Sequence, residues 1–417
     1  MIRELLFWGS AASVVFTYVG APALIVARAA LRPRPARSAA IEPDVSIVIA
    51  ARNEAASIGE RLANLAALDY PPDRLQVIVA SDGSDDATVE IARAAASGSG
   101  RTEVLDLGRV GKADALNEAV ARATGEIVVF TDANSSFAPD AVRRLVAPFA
   151  DPDVGGVAGN QVYTTGGATA AEAGERTYWS FDRIIKRAES VAGSTVSATG
   201  AIYALRRSLV PTIMAGVTDD FYTSTSVVDQ GRRLVFAEDA IAYEPPAPSA
   251  GSEYRRKVRI ITRGFRGVAA RRRLLDPRRT GFYAVQLGWH KLLRRLMAVP
   301  LIVMALTSIS LAGRSRFFLL LAAAQIAGYG TAAAGLLAPG SRLGRLKPVA
   351  LGSFFVMVNL AALHAAVDVL RGKRIERWEP ARAADPVPPP VSAQDGAALP
   401  VPSADAAPHG GPDEAVA

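Results

Sequence analysis

The stretch Glu126-Ile-Val-Val-Phe-Thr-Asp-Ala-Asn-Ser-Ser136 decides the fold. Four apolar residues, Ile127 to Phe130, run directly into Thr131-Asp132-Ala133-Asn134. A short apolar run bounded by polar residues reads as a strand buried on both faces. Asp132 then stands at the strand's carboxyl end, the edge at which open α/β sheets bind ligands. An ordinary strand-end turn has the same local sequence, so the neighbouring segments carry the decision.

Working outward, strands are expected at Val45–Ala50, Leu75–Ala80 and Val104–Leu107. Helices are expected at Ser57–Leu68, Ser84–Ala96 and Lys112–Ala123. Ser57 is placed to cap the first, with Glu60 completing a capping box. Asp85 and Asp86 fall in the first turn of the second, where acids favour the helix dipole. Strands alternating with amphipathic helices predict an α/β domain over 41–250 with a largely parallel sheet and right-handed crossovers.

The flanks differ in kind. Leu5 to Ala27 is almost wholly apolar and long enough to cross a bilayer. Arg28, Arg32, Arg34 and Arg37 follow it, so residues 1–40 read as an uncleaved transmembrane helix and basic linker. A basic and amphipathic interfacial segment is expected at 251–297, with Tyr283–Met297 lying along the membrane surface. Transmembrane helices are expected within 298–370, from apolar runs at 298–313, 316–338 and 348–370. Residues 371–417 read as a juxtamembrane segment and a disordered tail. The chain is 50% hydrophobic with net charge +7 and mean hydropathy +0.19. That combination suits a membrane protein with basic cytoplasmic loops rather than a nucleic-acid binder. With no cysteine and three histidines, disulfides and thiolate metal sites are excluded and a zinc enzyme is disfavoured.

Four polar clusters fall at strand ends: Ala51-Arg-Asn-Glu54, Ser81-Asp-Gly-Ser-Asp-Asp86, Gly108 to Asn117, and Thr131-Asp-Ala-Asn134. A parallel sheet brings them to one edge. Carboxylates there, with Lys112 and small residues, suit a nucleotide whose diphosphate carries a divalent cation.

These segments resemble the inverting family 2 glycosyltransferases, the group that includes cellulose, chitin and hyaluronan synthases. The matching residues are Val45 to Glu54, Ser81-Asp-Gly-Ser84, Gly111-Lys-Ala-Asp-Ala-Leu-Asn117 and Thr131-Asp-Ala-Asn134, then Ala198-Thr-Gly-Ala-Ile-Tyr203 and Thr218-Asp-Asp220. The resemblance implies a GT-A, Rossmann-like nucleotide-sugar domain flanked by transmembrane α-helices. It implies that Ala51, Arg52 and Glu54 line the nucleotide pocket, that Asp82 binds uracil and that Lys112 touches phosphate. Asp132 and Asn134 would take the place of the Asp-x-Asp metal motif and hold Mg²⁺ or Mn²⁺. Asp220 would be the general base, with Asp219 beside it, and Gly200 and Ala201 would leave room for the acceptor. Arg256 and Arg259 stand where processive members carry Gln-x-x-Arg-Trp. Trp is missing, which puts processivity in question; Arg271-Arg-Arg273 reads as a membrane-surface patch.

The implied activity is transfer from a UDP-sugar to a polysaccharide or lipid-linked acceptor at the plasma or inner membrane, in a multi-pass protein with a cytoplasmic catalytic domain. The rival is a catalytically silent, nucleotide-binding membrane regulator, which would be free to lose both Asp132 and Asp220. Three full crossings after the domain put the C-terminus outside, whereas Arg371, Lys373, Arg374 and Arg377, with Trp378-Glu-Pro, favour the inside. The short 298–313 run is the candidate for a segment that does not cross.

Overall fold

The structure is a computed structural model that describes residues 1–97, 100–164, 170–245 and 250–373. At its centre is β1 (Val45–Ala51), every residue of which is buried. Its odd-numbered side chains, Val45, Ile47 and Ile49, enter one apolar core with Ile58, Leu62 and Leu65. Val48 and Ala50 enter a second with Ala115, Leu116 and Ala119. A strand covered on both faces needs this continuous apolar sequence.

Parallel to β1 lie β2 (Leu75–Asp82) and β4 (Ile127–Asp132), and β3 (Thr102–Leu107) pairs with β2. The register sets Ala50 opposite Asp132 and Ala51 opposite Ser81. The strand-end clusters therefore share one edge, as expected. Beyond β4 the sheet is mixed rather than largely parallel. The further strands are β5 (Ser136–Phe137), β6 (Val154–Tyr163), β7 (Tyr203–Arg206) and β8 (Arg233–Glu244), and the order is β3-β2-β1-β4-β7-β6-β8-β5. β7 runs antiparallel to both β4 and β6, which brings the chain from the 198–203 loop back across the ligand edge.

The first helix begins at Ile58 with Ser57 at the N-cap position, as expected, but without a side-chain cap bond. The Ser57 hydroxyl donates to the Glu54 carboxylate at 2.8 Å instead of capping. The second begins at Thr88, not Ser84. Gly83 has φ +57°, open to glycine at no steric cost, and it turns Ser84 to Asp86 into a loop. Asp86 accepts the Thr88 N–H at 3.1 Å and the Ala55 N–H at 3.2 Å, tying two ligand-edge loops together.

Among the described residues, three helices are long and apolar enough to cross a membrane: Ile2–Leu31, Arg316–Leu337 and Lys347–Leu370. Phe282–Leu296 and Ala298–Leu311 form a further pair, bent by 49°. Most of the basic run 254–273 is helical, within Ala250–Ala270. One face of that helix, Val258 and Ile261, packs on Ala361, Ala362 and Ala365 of the last apolar helix. Arg271 is not a free surface charge. It pairs with Asp229 at 3.1 Å and lies 4.1 Å over the Tyr222 ring. Arg374, Arg377, Trp378-Glu-Pro and the tail lie outside the described residues.

Gly125 abuts the start of β1, where an added Cβ would stand 2.6 Å from Ser46 N and 2.8 Å from Asp44 O. Those atoms are backbone and cannot rotate away. Gly125→Ala should therefore destabilise the protein by about 1–3 kcal/mol. A thermal melt of the detergent-solubilised chain measures it; an unchanged midpoint would refute the packing.

Candidate active site

The strand-end loops are locked before any ligand arrives. Arg52 is buried and donates to the Asp82 carbonyl at 2.9 Å, with Asp85 at 3.4 Å. Its role here is to join the first two loops. Asn53 adopts φ +51°, a left-handed conformation that Asn tolerates better than most residues. Its side chain accepts the Asp85 N–H at 2.9 Å. Glu54 is buried and its backbone N–H donates to Thr88 at 2.7 Å. The Asp82 carboxylate accepts the Gly111 N–H at 2.6 Å, linking the second loop to the helix that Lys112 opens. Ala51 lies buried beneath this lattice.

Lys112 is the hinge of the site. Its Nζ stands 2.9 Å from Asp132 Oδ1 and 3.0 Å from Asp219 Oδ2. One ammonium thus joins the end of β4 to the Asp219–Ser224 helix. Burial alone lowers a lysine, but here the two carboxylates outweigh it and the Lys112 ammonium is held above its usual value. Burial likewise pushes Asp219 up, and the charge and hydrogen bond of Lys112 together hold it below the usual carboxylate range. Asp220, next in the chain, is pushed up to about 6 by burial and by the negative charge of Asp219. Its Oδ1 accepts the Phe221 N–H at 2.6 Å. Adjacent acids in different environments divide into a fixed ion-pair member and a group able to exchange a proton near neutral pH.

Asn117, five residues after Lys112, fixes the approach to these acids. Its amide donates to the Ile213 carbonyl at 3.0 Å and accepts the Ile213 N–H at 2.8 Å. Gly200 has a nearer reason than acceptor space: a Cβ there would meet Asp132 Oδ2 at 2.9 Å. Ala201 is buried, and its carbonyl accepts the Thr131 hydroxyl at 2.8 Å.

Two arginines were not anticipated. Arg61 is buried under the Asp132 strand end, donates to Thr131 Oγ1 at 2.9 Å and lies 4.1 Å from the Phe137 ring centroid. Burial pulls it down to about 9, against the opposing charge of Asp132. The sequence signal was a basic residue on the apolar face of the Ile58–Ala66 helix. Arg263 follows Arg259 by one helical turn, and the charges of both bear on Asp219, that of Arg259 also on Asp132. Arg256 points elsewhere, to Glu253 at 2.7 Å and the Tyr163 hydroxyl at 3.2 Å.

The sequence motifs on these loops are matched by a family model: glycosyl transferase family 2, over residues 46–213. The chain carries a family 2 glycosyltransferase domain. It is 38% identical over 116 residues to a beta-monoglucosyldiacylglycerol synthase of Synechocystis, covering 27% of this chain and 24% of that protein. It is 25% identical to a poly-beta-1,6-N-acetyl-D-glucosamine synthase of Staphylococcus aureus, covering 52% and 53%. The chain thus spans about a quarter and about half of these relatives. The structure of a mannosyltransferase from Pyrobaculum calidifontis, in complex with GDP-Man and Mn²⁺, superposes with TM-score 0.67 and 28% identity, covering 88% of this chain and all of that one. The glycosyltransferase family 2 domain has a GT-A-like fold.

Lys112→Met should leave Asp132 and Asp219 without their shared cation. The expected cost is up to about 3 kcal/mol at neutral pH, because breaking a buried pair strands its partner charge. Without Lys112 the Asp219 carboxyl is raised rather than lowered, so its cost disappears as it protonates. The stability gap between parent and variant should narrow from pH 7.5 to pH 5 in thermal melts. A gap independent of pH would contradict the pairing.

Proposed function

We propose that this chain is a membrane-seated, inverting glycosyltransferase that moves a sugar from a nucleoside diphosphate to a hydroxyl acceptor. The observation that carries this reading is the Lys112 bridge, which sets Asp220 beside the donor edge marked by Asp132. Asp220 takes the acceptor hydroxyl's proton as that oxygen attacks the anomeric carbon from the face opposite the leaving diphosphate. Inversion follows from that direct displacement. Arg259 and Arg263 stabilise the leaving diphosphate, to which a guanidinium can offer paired N–H donors. The pairing of a donor acid with a base is what a silent regulator has no need to keep.

Asp132 and Asn134 offer a carboxylate and an amide oxygen, both part-exposed. Such a set fits Mg²⁺ or Mn²⁺ when substrate phosphates supply further ligands. When bound, the cation neutralises charge on the leaving diphosphate. Lys112 already occupies one side of Asp132, so this ammonium supplies part of the same compensation.

The donor is a nucleotide sugar. The Asp82 loop favoured UDP in the sequence, and the likeness to a mannosyltransferase bound to GDP-Man adds GDP-mannose as a second candidate. A lipid hydroxyl is the favoured acceptor. The Ala250–Ala270 helix that carries Arg259 and Arg263 packs directly on the apolar Lys347–Leu370 helix, which supports a site at the bilayer surface. That contact supports a tail on the same side as the catalytic domain, and the arginines after the first apolar helix support the cytoplasmic side. A growing polysaccharide is the second reading, supported by the likeness to the staphylococcal synthase.

Membranes carrying the protein, incubated with UDP-glucose, UDP-N-acetylglucosamine and GDP-mannose, should release nucleoside diphosphate and label the lipid extract. Excess chelator or Asp132→Ala should abolish both, while Asn134→Asp should be tolerated. No release from any donor would refute the reading.

Asp220→Asn should lower transfer by about 10²–10⁴-fold with nucleotide binding unchanged. In the parent, the base is active only when ionised, so the rate should fall as pH drops through about 6. Near-parental turnover by Asp220→Asn would assign the base elsewhere.

A further inference from the structure

The Phe282–Leu296 helix is irregular where it meets the catalytic domain. Gly288–Leu293 is π-helical and Arg294–Leu296 is a 3₁₀ turn. A π stretch is uncommon and recurs at functional sites, because the extra residue per turn re-aims the side chains it carries. Here three consecutive side chains are held by three different elements. Trp289 is buried and its Nε1 donates to the Thr17 carbonyl of the first apolar helix at 2.9 Å. His290 Nε2 lies 3.6 Å from Asp182 on the Ala170–Ala192 helix, where Lys186 pairs with the same carboxylate at 3.2 Å. Lys291 turns toward the active site, its Nζ 5.3 Å from the centroid of the Phe221 ring.

That ring is firmly placed. Gly267 also packs on it: a Cβ there would come within 2.8 Å of Phe221 Cδ1. Phe221 follows Asp220 directly and donates its N–H to the Asp220 carboxylate. Lys291 therefore stands, from a helix outside the sheet domain, against the ring of the residue whose N–H holds the Asp220 carboxylate. The titratable groups facing Asp220 are Asp219 from its own helix, Lys112 from the Lys112–Arg122 helix, Tyr203 from β7 and Lys291. Asp219 opposes ionisation of Asp220, while Lys291 and Lys112 favour it. Burial pulls Lys291 itself down to about 7, with Arg295 and Lys186 lowering it and Asp220 and Asp182 opposing, so its charge is present across the acidic limb. Lys112 is already committed to Asp132 and Asp219.

We propose that Lys291 is a positioning residue for the general base: its ammonium, aimed by the π-helical stretch, keeps Asp220 ionised for proton abstraction. This rests on the reading of Asp220 as the base.

The test follows the Asp220 carboxyl directly. The full chain, labelled with ¹³C-carboxyl aspartate in nanodiscs, is titrated by NMR, with the Asp220 signal assigned by its loss in Asp220→Asn. Lys291→Met should raise the Asp220 midpoint by about one pH unit or more, and Lys291→Arg should leave it in place. Lys291→Gln serves as a second neutral variant should the methionine variant fail to accumulate. The acidic limb of the transfer rate should move upward by the same amount, with activity recovering at high pH. An unmoved midpoint in both neutral variants overturns the proposal. A moved midpoint with an unmoved rate limb would mean that Lys291 acts on Asp220 but that Asp220 is not the base, which overturns it by a different route.

Discussion

The site depends on one ammonium group. Lys112 stands at the start of its helix and holds carboxylates from two remote parts of the chain, Asp132 and Asp219, at hydrogen-bonding distance. Two part-buried acids brought to one ammonium would repel without that shared cation. With it, the end of β4 and the start of the Asp219–Ser224 helix become one rigid edge, and the base beside Asp219 acquires a fixed place. Asn117 performs the complementary task on the same helix, clamping the loop at Ile213 through which the chain approaches the acids. The motif from Gly111 to Asn117 is thus a connector as much as a ligand contact.

Much of this edge was legible in the sequence because buried parallel strands have an unmistakable signature. Val45–Ala51 and Ile127–Phe130 are continuous apolar runs, and the polar residues that end them are forced to a common border by the register. The helix starts were less legible. Ser57 holds the cap position, yet its hydroxyl goes to the Glu54 carboxylate, a strong acceptor, and the second helix starts at Thr88 rather than Ser84. The mixed half of the sheet was missed because β7 is only four residues long, too short to leave a periodic signal. Arg61 and Arg263 were missed for another reason: an arginine's role is set by what its long side chain reaches in space. Arg256 shows the same point from the other side, for its guanidinium reaches Glu253 and Tyr163.

The apolar helices do more than accompany the domain. Trp289 ties the bent segment to the first apolar helix, and Ala361, Ala362 and Ala365 of the last one cover the back of the helix that carries Arg259. Arg259, and the segment whose Lys291 lies against Phe221, are therefore both braced by the bilayer-length helices.

The central claim is direct displacement at the anomeric carbon with Asp220 as base, and the stereochemistry of the product tests it most directly. With an α-configured donor such as UDP-glucose or GDP-mannose, proton NMR of the purified product reads the anomeric configuration of the new bond. A β linkage is predicted. An α linkage would contradict single displacement and remove Asp220 from the role assigned to it.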